Sequence, residues 1–192
     1  MNNADLQIST YVISIMARDR VGIVADVSKN ISELGGNITD IRQRVLCGYF
    51  TMILLISFPA GITQAAILTK LAEGSESDLD IQVKPVLEKV SLPANNYPEN
   101  TYVLTVTGSD QIGFVAHVSK FCKENQINIL DLSTTSKADQ YIMILFIDLT
   151  KAEDIDLIRV RLNQFSMKTG FRVSLQHYNI FRAVNEIDLP IV

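Results

Sequence analysis

The feature that most constrains this chain is an internal repeat: residues 18–28, RDRVGIVADVS, return at residues 109–119 as SDQIGFVAHVS. A shift of 91 residues aligns Tyr11 with Tyr102, Asp19 with Asp110, Gly22 with Gly113, Val24-Ala25 with Val115-Ala116, and Val27-Ser28-Lys29 with Val118-Ser119-Lys120. Without any gap, the same register carries Asn37-Ile38 onto Asn128-Ile129, Asp40 onto Asp131, and Met52-Ile53-Leu54 onto Met143-Ile144-Leu145. Chance identity does not hold one register over so many positions, so the chain reads as two copies of one unit. Between them LPANNYPEN, residues 92–100, lacks periodicity and concentrates two prolines and three asparagines. It reads as a linker, which sets a first domain over 1–91 and a second over 101–192 with a C-terminal extension.

Each copy carries the signals of six elements. Tyr11 to Met16 is β-branched and aromatic enough for a strand, and ARDRVG follows as a turn. Ile23, Val27, Ile31 and Leu34 recur at helical spacing, and Gly35-Gly36 ends that pattern as a C-cap pair does. NITDIRQRVL alternates as a half-buried strand, Cys47-Gly48 makes a tight turn, and YFTMILLISF is the third strand. A second helix is expected over about 63–71, marked more clearly in the second copy by Ile155, Ile158, Leu162 and Phe165. The last strands are Ile81 to Leu87 and FRVSLQHY.

The order β-α-β-β-α-β predicts an α+β fold: two ferredoxin-like units, each an antiparallel sheet with both helices on one face. Right-handed crossovers put the first and third strands in the centre, and Pro85 suits an edge because it cannot donate to a ladder. Strand two is then an edge free to pair with another copy. The third strands, MILLI and YIMILFI, are apolar on both faces. A sheet covered on one side only should alternate, so something is expected over the other face, such as a second sheet across a dimer.

Composition narrows the function classes. Seventeen Lys+Arg against 21 Asp+Glu give a formal charge of -4 with no basic cluster, which disfavours direct binding of nucleic acid. No apolar run is long enough to span a bilayer, the start lacks a secretory pattern, and Cys47 and Cys122 stand at non-equivalent positions. These features fit a cytoplasmic protein without a disulfide framework.

The repeated turn offers chemistry for a small ligand. A helix N-terminus has unsatisfied N–H groups and partial positive charge, which attract a carboxylate. With no side chain at Gly22 or Gly113, a ligand can reach the amides of Arg20, Val21, Gly22, Ile23 and Val24, or of Gln111, Ile112, Gly113, Phe114 and Val115. Asn37 and Asn128, each followed by an isoleucine (Ile38, Ile129), offer both a donor and an acceptor to a zwitterion. The same residues have plainer readings: Asp19 and Asp110 as helix caps, the glycines as turn formers, and the asparagines as loop residues. The copies differ where Arg20 becomes Gln111, Ile23 becomes Phe114 and Asp26 becomes His117. Phe114 is bulky enough to fill a pocket, so the first turn is the stronger candidate.

The frame D-x-x-G-[IF]-V-A-x-V-S-K, followed by N-I-x-D, resembles the ACT domain in both units. Tandem pairs of this kind resemble the glycine cleavage system transcriptional repressor family, and single units resemble the leading segment of formyltetrahydrofolate deformylase. The resemblance implies a regulatory module that binds an amino acid between paired units, where the turn of one copy faces the asparagine of another. It implies a homodimer and a protein partner, either a transcriptional activator or a metabolic enzyme. A ligand-free oligomerisation scaffold and a regulatory subunit of a separate enzyme are the alternatives.

Catalysis, a cofactor and a metal are not expected. The two imidazoles, His117 and His177, are not at ligand spacing from a cysteine, and no nucleophile–base pair stands out. After the last strand Ile180, Val184 and Ile187 recur as i, i+4, i+7 beside Phe181, which predicts a short amphipathic helix or docked tail whose apolar side is buried, on the protein's own sheet ahead of a partner's surface.

Overall fold

The computed structural model describes residues 8–73, 79–87, 97–137 and 140–185, which form two compact units. In the first, β1 (Ile8–Arg18), α1 (Ile23–Glu33), β2 (Asn37–Leu46), β3 (Tyr49–Pro59), α2 (Gln64–Ala72) and β4 (Asp80–Pro85) follow in turn. In the second, β5 (Thr101–Ser109), α3 (Phe114–Glu124), β6 (Asn128–Lys137), β7 (Gln140–Asp148), α4 (Ile155–Thr169) and β8 (Arg172–His177) repeat that order, and α5 (Tyr178–Asn185) is added. The sheets run β2-β3-β1-β4 and β6-β7-β5-β8, antiparallel throughout, with the first and third strands central as expected. Pro85 lies on an edge strand.

Alternation builds each core. On β1, Tyr11, Ile13, Ile15 and Ala17 turn to the helices and meet Ile23, Val27 and Ile31 of α1 and Ile67 and Leu71 of α2. Leu104 and Val106 of β5 do the same with Phe114, Val118 and Cys122 of α3 and Ile158 and Leu162 of α4. The second helices even start alike: the Thr63 side chain accepts from the Ala66 N–H, and Asp154, at the matching position, accepts from the Asp156 N–H. A polar clamp particular to the second unit joins its helices. The buried Asn125 carboxamide donates to the Phe121 carbonyl and accepts from Arg161, whose other nitrogen reaches Glu153. In the first unit the helices are joined instead by Lys70–Glu33 at 2.7 Å, which lowers the Glu33 pKa and raises that of Lys70.

Where the copies differ, the differences compensate. Gly36 lets the Phe58 ring and Ile31 close over its backbone, for a Cβ there would lie 2.5 Å from Phe58 Cε1 and 2.7 Å from Ile31 Cγ2. At the three matching positions the second unit has Ile127, Leu149 and Cys122, all buried. The helix ends keep one geometry: Gly36 and Ile127 donate to the Ile31 and Cys122 carbonyls, each at 2.9 Å, with Gly35 and Gln126 in left-handed conformation. Ala17 and Ile23 are likewise replaced by Gly108 and Phe114, and a Cβ on Gly108 would stand 2.9 Å from the Phe114 ring and 2.7 Å from that of Phe171.

The faces opposite the helices differ more. In the second unit, Tyr97 stacks on Phe146 of β7 at 5.1 Å, and Tyr178 and Phe181 of α5 pack edge-on against the same ring. Val103, on that face of β5, is buried as a result. Tyr97, which composition assigns to the linker, is therefore part of the second unit's packing. The C-terminal helix docks on its own sheet as expected, but through Tyr178 and Phe181. Ile180 and Val184 point outward, 57% and 71% exposed, because the spacing of Tyr178 and Phe181 selects the other side of the helix. Ile187 lies outside the described residues. On the first sheet Val12, Met16 and Ile53 remain exposed on that face.

The cysteines are set apart by burial. Cys47 is exposed in the β2–β3 turn, whereas burial pushes the Cys122 thiol up to about 11. One thiol per chain should therefore react with a disulfide reagent under native conditions, and two after unfolding; two fast native thiols would contradict the packing of α3. The buried thiol stays neutral in the fold up to about 11, whereas the unfolded chain ionises near the ordinary 9.0. Its stability contribution is complete below pH 9.0 and is lost as the pH rises through about 11, so a Cys122→Ala variant should show a weaker alkaline fall in Tm.

Candidate functional site

Both repeated turns are built the same way. Gly22 and Gly113 stand at the N-caps of α1 and α3 with φ 94° and 89°, a region that a side chain enters only with strain, and no side chain caps either helix. Asp19 and Asp110 therefore do not cap. The Asp19 N–H donates to the Gly48 carbonyl at 3.0 Å, which ties the first turn to the β2–β3 hairpin. Asp110 instead accepts from the Ser136 hydroxyl at 3.0 Å. Val21 and Ile112, at matching positions on the turn tips, are fully exposed, and Val24 and Val115 are each 38% exposed on the first helical turn.

The polar cover over each glycine differs. In the first unit Arg20 folds back across the turn: Nη2 meets Asp26 Oδ2 at 2.7 Å, Nη1 donates to the Val21 carbonyl at 3.1 Å, and the same nitrogen lies 3.5 Å from where a Gly22 Cβ would stand. In the second unit the His117 ring takes that place, 3.4 Å from a Cβ on Gly113, and Gln111 is exposed. The ion pair of one turn is thus exchanged for uncharged or titratable groups in the other. Ile23 and Phe114 turn into their cores, where Phe114 packs on Phe171 at 4.3 Å and on Tyr141 at 5.0 Å. The Phe114 ring therefore does not fill the space at its turn, and these two residues offer a ligand only their backbone.

Asn37 and Asn128 open β2 and β6, both exposed and without a side-chain hydrogen bond among the described residues. Ile38 and Ile129 pack inward, and a bulge follows in each copy before Asp40 and Asp131. Asp40 meets Arg42 at 3.5 Å, and Asp131 accepts from the Leu132 N–H. Within one unit the asparagine and the turn do not converge. Asn37 pairs with Ser57, which pairs with Thr10 near the start of β1, while the turn follows Arg18 at its end. Eight residues of strand (18 − 10) separate those rows, roughly 26 Å. Asn128, Asp148 and Thr101 repeat the arrangement. No cluster of His, Cys, Asp and Glu able to hold a metal occurs among the described residues, and no helix among them is long and apolar enough to cross a membrane.

Two βαββαβ units carrying the same glycine turn and the same asparagine meet one sequence profile twice: the ACT domain matches residues 9–84 and again residues 100–176. The chain belongs to the ACT-domain family. Relatives the length of a single ACT unit also match the chain. A UPF0237 protein of Methanococcus maripaludis is 35% identical over 86 residues, 44% of this chain and 96% of that one. A UPF0237 protein of Neisseria meningitidis is 37% identical over 93 residues, 46% of this chain and 99% of that one. Among solved structures, one described as an unknown protein from Galdieria sulphuraria superposes with a TM-score of 0.70 at 24% identity, over 88% of this chain and 98% of that one. A protein described as a glycine cleavage system transcriptional repressor gives 0.61 at 20% identity, over 88% and 97%. At these identities the structures share the tandem ACT fold. The family points to a regulatory role through small-molecule binding.

Proposed function

We propose that this tandem ACT protein is a non-catalytic cytoplasmic regulator that binds an amino acid where the turn of one ACT unit meets the asparagine of another. The observation that carries this reading is the separation just described: each unit holds an uncapped glycine turn at one end of its sheet and, at the other, a carboxamide that makes no side-chain hydrogen bond among the described residues. A ligand that used both would require two units. Its carboxylate would take the turn amides, and its ammonium the Asn37 or Asn128 carbonyl. Arg20 stands over the first turn paired with Asp26, whereas the second turn has Gln111 and His117 at those positions, so the two sites would differ in the polar cover a carboxylate meets.

Signalling follows from linkage. A ligand bridging two units favours the arrangement that forms its pocket, and a partner preferring another arrangement is displaced. That partner is a DNA-bound activator of transcription, the reading favoured by the fold shared with a described repressor and by a charge of -4, which disfavours direct DNA binding. The working form is a homodimer.

A thermal-unfolding screen against the common amino acids, glycine and serine included, tests the proposal. Ligand at about a hundred times its Kd adds roughly 2.7 kcal/mol, a rise of several degrees in Tm. The rise should disappear in Gly22→Val and Asn37→Ala, whose unliganded folds are checked by circular dichroism. No rise with any amino acid would defeat the proposal.

A further inference from the structure

The two asparagines share a position in the repeat but not their neighbours. Asn37 of β2 faces Ser57 of β3 and, beyond it, Thr10 of β1, whereas Asn128 of β6 faces Asp148 of β7 and, beyond it, Thr101 of β5. Residues directly opposite on an antiparallel pair share a face, with Cβ atoms about 5 Å apart, so the Asp148 carboxylate stands beside the exposed Asn128 carboxamide. The two do not hydrogen-bond each other. Instead Asp148 Oδ1 accepts from both the N–H and the hydroxyl of Thr150, which fixes the carboxylate at the end of β7. Oδ2 has no hydrogen bond or ion pair among the described residues. The first unit lacks the acid and its holder alike, with Ser57 for Asp148 and Pro59, which has no N–H, for Thr150.

The surrounding charges leave this carboxylate uncompensated. Asp131, opposite Phe146 on the same face, is a second acid and accepts from the Leu132 N–H. Glu99 and Lys151 are exposed without an ion pair among the described residues, Glu153 is taken by Arg161, and Arg182 of α5 is already engaged. Thr101, opposite Asp148 on its other side, is fully buried, yet its hydroxyl has no hydrogen-bond partner. Buried hydroxyls are normally paired, so the polar row Asn128–Asp148–Thr101 is not satisfied by its own members.

We infer that Asp148 makes the Asn128 half-site selective for an amine: Asp148 Oδ2 and the Asn128 carbonyl together receive an ammonium group. This rests on the amino-acid reading above and adds a residue to it. An ammonium has three N–H donors and a charge, so it can serve both oxygens at once, and a charge-assisted bond is about twice as strong as a neutral one. The hydroxyl of a 2-hydroxy acid has one donor and no charge. The Asn37 half-site, beside Ser57, has no such means of telling the two apart.

The test compares each common amino acid with the 2-hydroxy acid of the same side chain, such as glycine with glycolate, alanine with lactate and serine with glycerate. Thermal unfolding of the full chain finds the pairs that bind, and calorimetric titration then measures them. Asp148→Asn keeps an oxygen for Thr150 and removes the charge, and Asp148→Ser installs the residue of the first unit, so one variant backs the other should either fold poorly. Both should weaken the amino acid about tenfold while leaving the hydroxy acid nearly unchanged, and Asp131→Asn should change either by less than about twofold. Equal losses for the amino acid and the hydroxy acid would make Asp148 merely structural and overturn the inference. Unchanged amino-acid binding in both variants, or an equal loss in Asp131→Asn, would overturn it too, and in each of these cases the ligand-binding reading survives. No rise in Tm with any amino acid would defeat that reading and this inference with it.

Discussion

Gly36→Ile should destabilise the first unit by about 3 kcal/mol, and adding Phe58→Leu and Ile31→Cys should recover most of that loss. The expectation comes from the repeat itself. A Cβ at Gly36 would meet Phe58 at 2.5 Å and Ile31 at 2.7 Å, and both neighbours are fully buried with little room to retreat. Overpacking of this kind forces side chains off their rotamers or moves the backbone. Phe58→Leu alone should cost about 1–2 kcal/mol through the space it opens under the helix end. Combined, the three changes install the residues that the second unit already uses at these positions, Ile127, Leu149 and Cys122. The singles should therefore fail to add, with a coupling of roughly 2 kcal/mol in a mutant cycle measured by urea denaturation. Additive losses would mean that the two cores are not interchangeable and that the packing at this corner is set by longer-range differences.

The second large effect is expected from Phe146→Ala, at about 3 kcal/mol. Its ring is the common platform for Tyr97, Tyr178 and Phe181, so truncation removes the contact surface of both the segment before β5 and the helix after β8. An eight-residue helix is too short to persist in water without such packing. Hydrogen exchange should accordingly accelerate across α5, and fluorescence quenching should show Tyr97 and Tyr178 more accessible. Exchange in β1 and β3 should stay unchanged. Protection of α5 that survives the substitution would place its anchorage elsewhere, against β8 for instance.

Much of the fold was legible because the repeat supplies each pattern twice. Ile23, Val27 and Ile31 declare a helix, Gly35-Gly36 its end and Cys47-Gly48 a hairpin, and in the second copy Phe114, Val118 and Cys122 line the same helix face while Gln126-Ile127 stand where the glycines end it. Gln126 takes the left-handed position of Gly35, a substitution that glycine-based reasoning misses. The candidate site was legible in composition and not in geometry. Asp19 and Asp110 look like caps in the sequence, yet one side chain bonds Ser136 and neither reaches its helix. Phe114 looks like a plug for a pocket, whereas its ring lies in the core between Tyr141 and Phe171. A signal for that inward turn was present: Phe114 is matched by Gly108 where the first unit pairs Ile23 with Ala17, a trade of volume that only two facing core positions would make.

By itself the sequence determined the repeat, the element order, the central and edge strands and the residue set of the turns, because periodicity, turn chemistry and the handedness of crossovers are local or topological properties. Tertiary structure alone decided what lies over each sheet. The linker's Tyr97 and the helical Tyr178 and Phe181 converge on Phe146 from positions about 80 residues apart, and no periodicity links them. It also decided that Ile180 and Val184 face outward, since the two sides of α5 compete for one sheet and aromatic packing takes precedence over the aliphatic stripe. And it separated each turn from its asparagine by the length of a strand, which is why a single unit holds only half of the proposed site.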